Sequence, residues 1–333
     1  MKIRNIKATI TIFSIICISF ISISWGIFGH NHINNAAVMA LPKPLQTFFY
    51  NHIDFITQES TIPDTRKYVL KDKAEHPRHF IDIENFGATD SIPHSFDEAK
   101  KKYDDKFLDK NGILPWYIKD VMIKLTKAFK EKRKAEILFL AADLGHYIGD
   151  ANMPLHTSAN HNGQLTNQTG IHGLWESTIP EMFGENYNYH TQEAQYVDDI
   201  DKATWIMILD SHSLVEPLLL TDRKLRETFT LDKMFVMDEK GNVAKGTFGD
   251  IIFSTAYATK LHEALDGMVE NQMRKAIVTT SNFWYTAWVN AGKPNLDSIE
   301  SKELTKRNEK KLKQDLKLWK KGKLFGLQNG KDI

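Results

Sequence analysis

Two short segments of this chain pair an imidazole with a carboxylate at the spacing of one helical turn. His146 and Asp150 stand four apart, as do His172 and Glu176, so each pair shares a face if its segment is helical. His156 follows Asp150 by six residues, past Pro154, which should end the first helix in between. A His/acid pair at i, i+4 is ordinarily a surface feature worth ~0.2–0.5 kcal/mol. Here the neighbours are Leu144, Tyr147, Ile148, Leu155, Leu174 and Trp175. Ionisable groups buried unpaired among such residues would be costly. A divalent cation is the natural compensation, and several zinc sites would satisfy all of them. The single cysteine is Cys17 and there are 13 histidines, so the ligands would be His, Asp, Glu or a chain terminus.

The elements that must position these groups read as helices. Over 114–132, apolar Trp116, Ile118, Val121, Met122, Leu125 and Phe129 recur near the 3.6 period, and Pro115 suits a first turn. The stretch 135–150 follows with the same pattern, and further helices are expected over 172–183, 190–215 and 251–289. Alternating strand patterns are scarce. Six prolines from Pro42 to Pro115 break the first third into short helices and loops. Polar residues and three glycines over 232–249 predict a surface excursion, with a hairpin near Lys240 and Gly241. The expectation is one multi-helix, all-α domain over 25–298, followed by a Lys-rich tail over 299–333 that forms a solvated helix.

Residues 1–24 read as an export signal. Lys2, Arg4 and Lys7 precede an apolar run, and the small residues Ser22 and Ser24 set cleavage between Ser24 and Trp25. The run is shorter than the ~20 residues a spanning helix needs. Processing would put the protein in the periplasm or outside the cell, without its cysteine and with a free α-amino group on Trp25. The formal charge of +1 hides an asymmetry. Removing three basic residues leaves −2, and since 301–333 carry +7, the body carries −9. So acidic a body binds nucleic acid poorly unless cations offset its carboxylates.

The sequence resembles the zinc-dependent phospholipases C and the single-strand-specific nucleases of the S1/P1 type. Trp25-Gly-Ile-Phe-Gly-His30 looks like the mature start of those nucleases. Asp64 after Ile62-Pro63, and His79 fifteen residues on in Arg78-His79-Phe80-Ile81-Asp82, match the next two motifs. Gly145-His146, Gly149-Asp150 and Pro154-Leu155-His156 resemble the central motif, and His172 with Glu176 the last. The resemblance implies the same all-α fold and three zinc ions. Asp64, His79, His146 and Asp150 would hold one. Trp25, through its amine and carbonyl, and His30 would hold a second, with Asp150 bridging. His156, His172 and Glu176 would hold the third. It also implies phosphodiester hydrolysis by metal-activated hydroxide, with Asp64 and Asp150 central and Lys67 near the phosphate.

On substrate the resemblance divides. The Trp25–His30 step and Phe80 with Asp82, which would stack on and hydrogen-bond a base, point to single-stranded nucleic acid or nucleotides. Glu176 as last ligand is the phospholipase choice, and the loop 158–169 lacks the glycine pair of eukaryotic nucleases. A nuclease is favoured, a phospholipase C acting on phospholipid head groups is the alternative, and a non-catalytic zinc-binding protein is third. No protein partner is implied, and a monomer is expected. His32, two residues from His30, either supports that ligand from behind or is a packed or exposed residue, while His52, His76, His94, His161, His190, His212 and His262 match no motif position, and Trp175 reads as core.

Overall fold

The computed structural model describes residues 26–246 and 249–324. Eight helices of ten or more residues organise them: α1 (Gly26–Ala40), α2 (Leu114–Lys130), α3 (Lys134–Ala151), α4 (Ile200–His212), α5 (Val215–Arg226), α6 (Thr255–Ala264), α7 (Met268–Asn290) and α8 (Lys302–Trp319). The protein is all-α, as its periodicity predicts. Among the described residues, no helix is long and apolar enough to cross a membrane.

The long helix α7 packs against α1, α2 and α3, and α2 and α3 lie side by side. Every apolar position expected on the inner face of α2 is buried. Trp284 of α7 is fully buried, stacks on Phe49 at 5.0 Å and donates its indole N–H to the Ala141 carbonyl at 3.0 Å. Burying such a side chain contributes about 2–3 kcal/mol.

Helices α1 and α3 differ from the amphipathic pattern. Leu144 to Ala151 is buried on every side, and so is almost all of α1. Gly145 and Gly149 let these two helices touch. A β-carbon at Gly145 would lie 1.8 Å from Asn34 Oδ1, and one at Gly149 would lie 3.0 Å from His30 Nδ1. Alanine at Gly145 would therefore push α1 off α3 and spoil whatever the two helices share.

Three expectations need amendment. The helix expected over 190–215 begins only at Ile200. Before it the chain is extended, because its amides find partners elsewhere: Ala194 N–H donates to Ala40 O, Gln195 N–H to Asn282 Oδ1 and Val197 N–H to Thr286 Oγ1. Asp199 then caps α4 through the Lys202 amide. The stretch 251–289 is two helices, interrupted at Gly267 with φ +78°, while Ile251 pairs with Lys245. That pairing belongs to the excursion, whose turn lies at Asp238–Asn242 as expected but whose isolated antiparallel bridges continue to Phe253. Finally, α8 is solvated only on its lysine side. Leu312, Asp315 and Trp319 are buried, with Asp315 accepting from Tyr50 OH at 2.6 Å and Trp319 Nε1 donating to Tyr189 O at 2.9 Å.

Candidate metal centre

Four elements converge where α1 crosses α3. His30 comes from α1, and His146 and Asp150 come from α3, one turn apart and facing the same way. Asp64 ends a short helical turn opened by Pro63, and His79 ends the tight turn His76–His79. All five side chains are fully buried. Asp150 Oδ2 lies 2.9 Å from His79 Nδ1 and 3.3 Å from His146 Nε2. His146 Nε2 is 3.1 Å from His79 Nδ1, and Asp64 Oδ1 is 3.7 and 4.0 Å from those two nitrogens. The other oxygen of Asp150 points the opposite way, 3.6 Å from His30 Nε2. One carboxylate thus offers an oxygen to each of two donor sets.

These groups fit a cation better than they fit one another. Four ligands 2.0–2.1 Å from a tetrahedral ion stand about 3.3–3.4 Å apart, and the separations around His79 and His146 bracket that value. Among the described residues, neither ring nitrogen of His30 and neither oxygen of Asp64 has a hydrogen-bond partner. Orphaned buried groups of this kind are rare and costly. Without a cation, burial raises the Asp64 carboxyl to about 7, with Asp150 adding to the rise against His146. Burial also lowers His79 to about 4, assisted by Lys67, and takes His30 well below the ordinary histidine value. Those two imidazoles are neutral, as ligands must be. Against the effect of burial, Asp150 raises His146 and, with Glu176, takes His156 to about 9, protons that a bound cation would displace.

A second group lies beside the first. His156, on the tight turn Pro154–Thr157, places Nε2 3.1 Å from Glu176 Oε1, and His172 Nε2 is 2.8 Å from Glu176 Oε2. Residues 171–183 form a continuous helical run, as expected, but Leu174–Thr178 widens into a π-turn that carries Glu176, a distortion common at functional sites. His156 and Glu176 are buried, whereas the His172 side chain is 25 % exposed.

Most rear nitrogens rest on backbone carbonyls: His146 Nδ1 on Ser60, His156 Nδ1 on His79, and His172 Nδ1 on His161. Each such bond fixes the tautomer and turns the Nε2 lone pair inward.

Above this group opens a cleft of about 830 Å³. Lys67, Lys71, Lys73, Lys110, Phe80 and Asp82 line its wall, together with His156, His172 and Glu176. Lys67 lies on a second π-turn, Thr65–Val69, with Nζ 4.8 Å from the centre of the Tyr68 ring. Burial opposes its charge, but Tyr68, Asp64 and Asp150 outweigh that and raise its pKa. Phe80 and Asp82 are half-buried.

A family model described as S1/P1 Nuclease matches residues 25–245. The chain belongs to the S1/P1 nuclease family. Among curated proteins, none matches it. In this family member the structure brings eight of the nine candidate ligands together: His30, Asp64, His79, His146, Asp150, His156, His172 and Glu176. The ninth, Trp25, lies outside the described residues. His32 is a packing residue, stacked on Phe28 at 3.7 Å, and Trp175 is core.

Sequence reasoning missed three participants. His161 matches no motif position, yet it lines the cleft and its carbonyl holds His172. Tyr68 lines the cleft while half exposed. Glu75, fully buried, places Oε1 3.5 Å from His79 Nε2. The signal for Glu75 was present, since it stands four residues from His79, the same spacing that marked the other pairs.

Proposed function

We propose that this protein is an exported zinc-dependent phosphodiesterase that cuts single-stranded nucleic acid, with three zinc ions per chain. One observation carries the reading: the donor group His156, His172 and Glu176 lies at a cleft that also holds Lys67, Lys71, Lys73 and Lys110, with the buried donor group directly behind it. Asp72, Asp82, Glu181 and Asp250 line the same cleft, so a polyanion would be held there by the lysines together with bound cations that offset the carboxylates.

Asp64, His79, His146 and Asp150 would hold one ion, and His156, His172 and Glu176 another. His30, Asp150 and the α-amine and carbonyl of Trp25 would hold the third, so cleavage after Ser24 would complete the site. Zinc so placed supplies hydroxide at neutral pH and neutralises charge on phosphoryl oxygens. Asp150, with one oxygen toward His79 and His146 and the other toward His30, would be shared by two of these sites. Lys67 reaches a phosphate oxygen and orients the phosphodiester over the floor of the cleft. Phe80 offers a ring for a base to stack on, and Asp82 accepts a hydrogen bond from its edge.

A phospholipase reading is favoured by one feature. Tyr68, Val69 and Leu70 at the cleft edge are 50, 63 and 70 % exposed, an apolar tip of the kind that enters lipid. The deciding experiment gives the processed protein single-stranded DNA and phosphatidylcholine vesicles in parallel, with its zinc content measured. Cleavage of DNA with about three zinc ions bound is expected. Hydrolysis of the lipid alone would transfer the proposal to the phospholipase, and protein with one zinc or none would remove the multinuclear site.

A further inference from the structure

We propose that Glu75 is a positioning residue that fixes the tautomer and aim of His79, and that Arg66, Arg78 and Tyr147 exist to hold its carboxylate in place. The inference rests on the metal reading of the centre. His79 presents Nδ1 to the donor cluster, 2.9 Å from Asp150 Oδ2, and turns Nε2 toward Glu75 Oε1 at 3.5 Å, an ion-pair separation longer than a made hydrogen bond. A neutral imidazole has a single N–H. With that N–H on the Glu75 side, the Nδ1 lone pair faces the centre, as a ligand must.

The carboxylate is held from several directions. Glu75 Oε2 accepts from Arg66 Nε and from Arg78 Nη1, each at 2.9 Å, and Oε1 accepts a short hydrogen bond from Tyr147 OH. Arg66 is itself fixed through Nη2, which donates to Asp143 Oδ2 at 2.7 Å and to Tyr147 OH at 3.1 Å. Arg78 lies over the Tyr117 ring at 4.4 Å. His146, His156 and His172 are backed by neutral carbonyls, so of the four imidazoles with a rear partner only His79 has a charged one. A carboxylate behind a ligand raises its basicity, and removing such a partner typically costs 10–100-fold in metal affinity. Stability alone explains this assembly poorly, because desolvation of buried ions offsets most of their attraction.

The test compares the processed wild-type chain with Glu75→Gln, Glu75→Asp and Asp143→Asn, each titrated with zinc against a chromogenic chelator. Asp143→Asn is the comparison one step further back, since it removes a partner of Arg66 but keeps the Glu75 carboxylate and its Arg78 and Tyr147 partners. Glu75→Gln should weaken zinc binding at one site about 10–100-fold, Glu75→Asp should recover part of the loss, and Asp143→Asn, which loosens Arg66 alone, should cost clearly less than Glu75→Gln. If Glu75→Gln does not fold, Glu75→Asp decides, an intermediate affinity upholding the role and an unchanged one overturning it. Equal affinity in Glu75→Gln and wild type, or an equal loss in Asp143→Asn, would overturn the proposal while leaving the metal reading standing. Wild-type protein that binds no zinc would overturn both.

Discussion

The two donor groups start from the same motif, a histidine and an acid four residues apart, and end in opposite surroundings. His146 and Asp150 sit where α3 is buried on every side, in a space that Gly145 and Gly149 open to α1. His172 and Glu176 sit on a widened turn at the cleft floor, with His172 partly in solvent. The buried group has a charged network behind one of its histidines, whereas the open group leans on loop carbonyls. Local spacing therefore supplies the ligands, but tertiary packing decides whether an ion is sealed in or left facing a substrate. The expected division of labour is a slowly exchanging ion pair in the interior and a more exchangeable ion beneath the cleft.

The harshest way to break that comparison is at Asp150, which serves the buried group through both oxygens. Asp150→Asn keeps the shape and removes the charge. It should strip metal from the interior and lower turnover by several kcal/mol of transition-state stabilisation, roughly 10³-fold. Zinc analysis and rate on one preparation check this, and near-normal turnover would show that the centre is wrongly assigned. His172→Ala should do less. It should release one zinc, leave the interior ions in place, and slow turnover roughly 10²-fold, about 2.7 kcal/mol. Loss of all zinc from His172→Ala would abolish the distinction between a sealed group and an open one.

Much of this was legible in the residues, and the limits are physical. The i, i+4 pairs could be read because a helix fixes which side chains share a face. The inner face of α2 could be read for the same reason. Residues 190–199 could not, since they hold neither proline nor glycine to break a helix, while their amides bond to Ala40, Asn282 and Thr286, which are far away in sequence. Asp199 marked the true start of α4, but nothing local gave it precedence. The buried face of α8 was hidden by its lysines, because only Leu312, Asp315 and Trp319 carry it. Arg66 and Asp143 are 77 residues apart, and no pattern in one segment announces such a partner. Glu75 is of a different kind, since it stands four residues from His79 but on a tight 3-10 turn, where that spacing does not by itself put two side chains on one helix face.

The gentlest perturbation falls on the cleft wall, where it asks what the open group serves. Burial raises the Asp82 carboxyl to about 6, with Glu84 adding to the rise and Lys110 opposing it. If Asp82 accepts a hydrogen bond from a base, it does so as the carboxylate, which forms as pH rises through about 6. The rate on a nucleotide substrate, divided by the rate on a small chromogenic phosphodiester, should then climb through that pH. The division cancels whatever pH does to the metal chemistry common to both substrates. Asp82→Ala should lower the ratio about tenfold at neutral pH, the loss of one charge-assisted hydrogen bond of ~1.5 kcal/mol, and should leave it flat across the titration. Equal loss on both substrates would assign Asp82 to the architecture around His79, and no loss on either would remove it from the site altogether. Either result would leave the four lysines as the cleft's main link to nucleic acid, through the backbone and without regard to sequence.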